Sequence, residues 1–190
     1  FVSLMRSVYG AQALNYGAGG TRIARQKSPS ENPVYDEDFL LRADKTDKGA
    51  EIIAVFGGTN DYGHGDAPLG TAADDTPYTF YGAVNCLYEK LKKDFPRAVK
   101  VVITPLRRRN DADPFGEGKR KFATAPLAEY AAVERAAARA FGYPVLDFYA
   151  LYDTDEKLKE TFRRSADGLH PDDYGHAVIA EKIAAFLKAL

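Results

Sequence analysis

Asp167 and His170 stand three residues apart in Asp167-Gly168-Leu169-His170-Pro171, at a turn that enters the last apolar-periodic segment of the chain. At that spacing the carboxylate can lie beside the imidazole. An acid so placed fixes the ring's tautomer and stabilises the imidazolium formed when histidine takes a proton, which is the base half of a catalytic triad. The same residues also read as ordinary structure, with Asp167 or Asp172 capping the following helix and His170 on the surface. Asn60, in Gly58-Thr59-Asn60-Asp61, follows a strand-like apolar run. Its carboxamide N–H could donate to an oxygen that becomes negative during acyl transfer, although Gly-Gly-Thr-Asn-Asp is also good turn chemistry. Gly20, in Asn15-Tyr16-Gly17-Ala18-Gly19-Gly20-Thr21, offers a backbone N–H unobstructed by a side chain. It would make a second oxyanion donor, or the glycines simply permit a sharp bend.

These residues need a frame, and the apolar periodicity supplies one. Val2, Leu4, Met5 and Val8 have helical spacing, and Ala11 to Tyr16 suits a short buried strand ending at the glycines. A short helix capped by Asp36 is expected over Asp36 to Arg42. Glu51 to Phe56 reads as a central parallel strand, apolar on both faces. The Gly-, Asp- and Pro-rich stretch from Gly63 to Pro77 is too broken to be an element, and its length points to a functional loop. Tyr78 to Phe95 has the period of an amphipathic helix that Pro96 ends. Lys100 to Thr104 is the next strand, Arg107 to Thr124 a polar loop, and Leu127 to Phe141 a helix with Gly142 at its C-terminal cap. Val145 to Phe148 is a fourth strand, Glu156 to Phe162 a helical piece, and the last helix runs from Asp173 to Leu190, burying Val178, Ile179, Ile183, Phe186 and Leu187. Strands alternating with helices imply βαβ units, hence an α/β three-layer sandwich. Ligands of such open sheets bind beyond the carboxyl ends of the strands, where all these motifs fall.

Composition narrows the function further. The chain has 190 residues, 45% of them hydrophobic, and a formal charge of -1. One domain over residues 1–190 is expected, with no global field to draw it to nucleic acid or an anionic membrane. Cys86 is the only cysteine. It excludes an intrachain disulfide and fits a reducing, cytoplasmic compartment, while secreted proteins also can lack disulfides. No apolar run approaches bilayer length, and no basic segment followed by an apolar one opens the chain. No His, Asp and Glu cluster has a metal-site pattern, and the glycines match neither a P-loop nor a dinucleotide fingerprint. No metal or cofactor is therefore expected, and neither nucleic acid nor a membrane as partner. His64 reads as an exposed loop residue and His176 as a surface residue of the last helix, while Asp61 and Tyr62 could line the pocket. Arg107-Arg108-Arg109 and Lys119-Arg120-Lys121 read as a solvated face offset by Asp111, Asp113 and Glu117, or as an attraction for an acidic substrate.

Together, Asn-Tyr-Gly-Ala-Gly-Gly-Thr, Gly58-Thr59-Asn60-Asp61 and Asp167-Gly168-Leu169-His170-Pro171 resemble, in order and spacing, the second, third and fifth blocks of the SGNH hydrolases, the GDSL-like lipases and esterases. The resemblance covers essentially the whole chain. It implies a flavodoxin-like sheet, a small-molecule ester as substrate, Gly20 and Asn60 as oxyanion donors, His170 as general base and Asp167 orienting it. The family's first block, Gly-Asp-Ser, supplies the nucleophile and a further oxyanion N–H, and it does not occur here. Ser3, Ser7, Ser28, Ser30 and Ser165 are the only serines, and none follows a strand with Gly-Asp before it. The sequence therefore predicts a further strand and turn before Phe1, the sheet's first strand, carrying the serine. A non-catalytic carbohydrate- or partner-binding protein is the alternative.

Overall fold

A computed structural model describes residues 1–115 and 125–190. These residues form an α/β fold with a parallel sheet. They group into two compact units: Ala18–Pro105 with Asn110–Asp147, and Phe1–Gly17 with Leu106–Arg109 and Phe148–Leu190.

The sheet lies wholly in the first of these. Strands β1 (Ile52–Phe56), β2 (Val99–Ile103) and β3 (Val145–Leu146) pair in that order, all parallel, with Ile52 opposite Val99 and Val102 opposite Val145. Helix α4 (Phe80–Asp94) crosses from β1 to β2 and helix α5 (Leu127–Phe141) from β2 to β3. The expected apolar stripe of α4 is buried at Phe80, Val84, Leu87, Tyr88 and Leu91. Thr79 caps its start by accepting from Gly82 N, and Gly142 ends α5 in the left-handed conformation. The Tyr130 ring of α5 meets Phe80 at a tilt and Tyr62 edge-on, at ring distances of 4.7 and 6.0 Å. Each such buried ring contributes about 1.5–3 kcal/mol.

Several expectations are corrected. Among the described residues Glu51 to Phe56 lies at the edge of the sheet: β1 pairs only with β2, and Ile52 is 44% exposed. Ala11 to Tyr16 forms no strand; Leu14 is 57% exposed, and the Asn15 side chain accepts from Gly17 N in a local turn that competes with a ladder. The short helix is α2 (Phe39–Ala43), capped by Asp38, because Pro33–Asp36 is already a 3₁₀ turn capped by Asn32. Thr59–His64 is helix α3, so of the loop expected from Gly63 to Pro77 only Gly63 and His64 belong to an element. The fourth predicted strand shrinks to Val145–Leu146: Thr104 and Arg135 hold Asp147, and the chain turns into α6 (Phe148–Leu151).

The second unit contains α1 (Val2–Ser7), α6, α7 (Glu156–Arg164) and α8 (Asp173–Lys188). Packing of α7 on α8 is close: a Cβ at Gly175 would lie 2.6 Å from Thr161 Cγ2 and 2.7 Å from Pro171 Cβ. Among the described residues, no helix is long and apolar enough to cross a membrane.

Asp61 ties the sheet unit together at the mouth of β1. Its buried carboxylate accepts from Ile23 N at 2.9 Å and Ala24 N at 2.8 Å, anchoring the segment after Gly20 to α3. It therefore does not line a pocket, and Tyr62 beside it is fully buried. Burial pushes the Asp61 carboxyl up to about 6, against the pull of the two N–H donors. A folded value above the unfolded one of about 3.9 means that the folded state holds the proton more tightly, so stability falls as pH rises from about 4 through 6. Denaturant unfolding of the native protein should lose up to 3 kcal/mol through this group over that range, about 1.4 kcal/mol per pH unit. Asp61→Asn turns a donor toward a buried N–H and should start about 1–3 kcal/mol less stable, with a flatter pH profile. Equal slopes in the two proteins would contradict the role.

Candidate functional site

The base half of the predicted site is built by a single turn between α7 and α8. Asp167 Oδ2 lies 2.7 Å from His170 Nδ1, while its Oδ1 accepts from Leu169 N at 2.9 Å, His170 N at 2.8 Å and Ser165 Oγ at 3.1 Å. These hydrogen bonds hold the Asp167 carboxyl well below the usual carboxylate range, the imidazole contributing most. It stays ionised throughout the neutral range. An anion on Nδ1 places that ring proton toward itself, so Nε2 is the nitrogen free to accept a proton. The His170 side chain is 79% exposed and makes no other side-chain hydrogen bond among the described residues. Asp167 is not the helix cap; that role belongs to Asp172, which accepts from Gly175 N.

Gly168 makes this turn possible. Its φ of +70° is costly for a side chain, and a Cβ there would lie 2.8 Å from Arg109 Cβ. Its carbonyl accepts from Arg109 N at 2.7 Å. Of the arginine run only Arg109 is exposed, so the run is not a wholly solvated face. Arg107 lies over the Tyr149 ring at 4.1 Å and donates to Tyr149 Oη and Asp153, Arg108 is buried, and Arg109 braces the dyad turn through its backbone. Lys119-Arg120-Lys121 and Glu117 lie outside the described residues.

In the sheet unit, Gly20 and Asn60 are neighbours. Asn60 sits in the first turn of α3, directly after β1, and its Nδ2 donates to Thr21 O at 2.9 Å. A carboxamide nitrogen carries two hydrogens, so one remains. Gly20 has a φ of +77°, and its would-be Cβ falls 2.4 Å from the Tyr35 ring. Its N–H meets no acceptor among the described residues. Among the described residues, the Gly20 N–H and the second Asn60 Nδ2 hydrogen are thus both without an acceptor, on segments joined by the bond from Asn60 to Thr21 O.

Sequence reasoning missed the framework behind these donors. Arg22 is buried and donates to His64 Nδ1 at 2.9 Å and to Ser30 Oγ, with Asp36 at 3.4 Å; Arg42, also buried, donates to Thr21 Oγ1 at 2.7 Å. His64 is thus a half-buried residue at the end of α3, not an exposed loop residue. His176 is likewise half-buried, with its Nδ1 3.4 Å from the Phe1 amine. Ser165 was also unmarked, yet its one hydroxyl hydrogen is shared between His170 O and Asp167 Oδ1. The one available signal was local, a serine two residues before an aspartate at a turn. Gly168→Ala should cost about 1–2 kcal/mol for the left-handed backbone alone, read by urea unfolding. A variant as stable as the native protein would refute the account of this turn.

A profile of the GDSL-like Lipase/Acylhydrolase family matches residues 1–178. Among solved structures, a protein from Lactobacillus plantarum is similar at 28% identity and a TM-score of 0.79, over 98% of this chain and 86% of that one. Two others share the fold alone. A lipase/acylhydrolase from Enterococcus faecalis has 17% identity and a TM-score of 0.55 over 90% of this chain and 72% of its own. A mutant of an acetyl-xylooligosaccharide esterase from Geobacillus has 19% identity and a TM-score of 0.58, over 98% and 78%. No curated protein sequence matches significantly. With the family profile spanning nearly the whole sequence, and with its parallel α/β fold shared by these structures, the chain belongs to the GDSL-like lipase/acylhydrolase family.

Proposed function

We propose that the protein is a serine esterase that cleaves carboxylic esters of short acyl groups or of acetylated carbohydrate, with His170 as general base and Asp167 as its orienting partner. The observation that carries this reading is the 2.7 Å contact between Asp167 Oδ2 and His170 Nδ1, which leaves Nε2 of an exposed ring to take a proton. A serine hydroxyl attacks the ester carbonyl, and its proton passes to His170 Nε2. The carbonyl oxygen becomes an oxyanion held by the Gly20 N–H and the remaining Asn60 Nδ2 hydrogen. The imidazolium then protonates the departing alcohol, leaving an acyl-enzyme. Water attacks it with His170 again accepting the proton, and the carboxylic acid is released.

The nucleophile in this proposal is a serine before Phe1. Ser165 shares its hydroxyl hydrogen between Asp167 and His170 O, and Ser30 donates its own to Asp36. Ser3 and Ser7 lie on α1, and Ser28 follows no strand. Small soluble substrates are favoured by the polar loop from Gly65 to Thr79. It is organised by Asp74, which accepts from Thr71 and Thr79, and not by an apolar cluster suited to a lipid chain.

Hydrolysis of p-nitrophenyl acetate by the native protein tests the assigned roles. His170→Ala should abolish turnover, and Asn60→Ala should lower kcat about a hundredfold or more with little change in KM, as for loss of one oxyanion donor. Undiminished turnover in either variant refutes its role. Folded native protein that binds an acetylated sugar without hydrolysing it would favour the non-catalytic reading.

A further inference from the structure

Glu134 lies in the middle of α5 and is 1% exposed. Its Oε2 is fully buried and has no hydrogen-bond partner among the described residues. The other oxygen, Oε1, lies 2.8 Å from where a Cβ on Gly58 would stand, with Pro105 Cγ 3.1 Å from that same point. Gly58, at φ +86°, is the residue from which α3 starts, two positions before Asn60. The carboxyl is therefore seated directly beneath the turn that sets Asn60. That contact fits an apolar side chain, yet an acid occupies it.

The groups facing Glu134 come from every element around it. Asp61 on α3 and Asp147 after β3 add like charge, Arg135 on its own helix opposes them less strongly than Asp61 acts, and the fully buried Tyr88 hydroxyl of α4, also without a hydrogen-bond partner among the described residues, senses the Glu134 charge. Arg135 itself donates to Asp147. No cation is thus committed to Glu134 among the described residues, and an ionised carboxylate there would be a buried, unpaired charge.

We propose that Glu134 is a positioning residue for the Gly58-Thr59-Asn60 turn: seated beneath Gly58 as a neutral acid it holds the Asn60 carboxamide in place, and its ionisation displaces the turn. The carboxyl loses its proton to solvent in that step, and no other bond changes. Burial and the neighbouring acids both push the Glu134 carboxyl well above its ordinary range, so the neutral form persists to higher pH than for an ordinary carboxyl. The consequence for oxyanion stabilisation rests on the proposed role of Asn60, whereas the coupling of Glu134 to the turn does not.

The test follows the Asn60 side-chain amide resonances by NMR through a pH titration of the native protein, Glu134→Gln and Glu134→Leu. In the native protein they should move in two steps, one near pH 6 with Asp61 and a second at higher pH. Both variants, neutral at every pH, should retain the first step and lose the second, so either one suffices should the other fail to fold. In the range of the second step, ester turnover by the native enzyme should fall about tenfold, while that of Glu134→Gln holds. Resonances that do not move above the Asp61 step, or that move equally in a variant, overturn the proposal. Absence of turnover in every form, with the two-step titration intact, refutes the esterase reading and leaves the Glu134 coupling supported.

Discussion

Burying a carboxylate is expensive, and this protein does it at Asp61 to join two distant stretches of chain. The two backbone donors that Asp61 accepts, Ile23 N and Ala24 N, lie on the segment that follows Gly20. Asp61 itself sits next to Asn60 in the first turn of α3, which β1 delivers to the carboxyl edge of the sheet. Once this link is made, Asn60 reaches Thr21 O, and the Gly20 and Asn60 donors are held a residue or so from a shared anchor. A strand end on one side and buried arginines on the other make that anchor stiff. Preorganised donors are worth more than mobile ones because they need no reorganisation when charge develops.

The dyad is organised on a different principle. Asp167, Gly168, Leu169 and His170 form a self-contained turn in which one carboxylate accepts two backbone N–H groups, a serine hydroxyl and the imidazole. From elsewhere in the chain, Arg109 reaches this turn with a backbone hydrogen bond to Gly168 O. The geometry of the proposed general base thus depends on local chemistry. The donor geometry depends on contacts between residues nearly forty positions apart.

That contrast explains what could be read from the sequence. Amphipathic periods and caps are local, so α4, α5 and α8 emerged close to their observed ends, as did the strands around Ile53 and Val101. Asp167 and His170 could be paired for the same reason. The apolar run Ala11 to Tyr16 was misread because a strand needs a neighbour to pair with, and local composition does not say whether one is there. Asp61, Arg107 and Arg108 were misread because a charged residue in a polar stretch signals exposure. Partners far along the chain change that, Ile23 and Ala24 for Asp61 and Tyr149 for Arg107, and the unmarked Arg22 is buried beside His64 in the same way. Glu134 was invisible for a related reason, since an acid among alanines on a helix reads as solvent-facing until α3 and α4 are packed around it.

The account stands or falls on whether a serine nucleophile works with His170. Treating the native protein with a fluorophosphonate probe and mapping the adduct by mass spectrometry tests this most directly. The account predicts one labelled serine, outside residues 1–190, with labelling lost in His170→Ala. A folded native protein that takes up no label, or that labels equally well without His170, would contradict it.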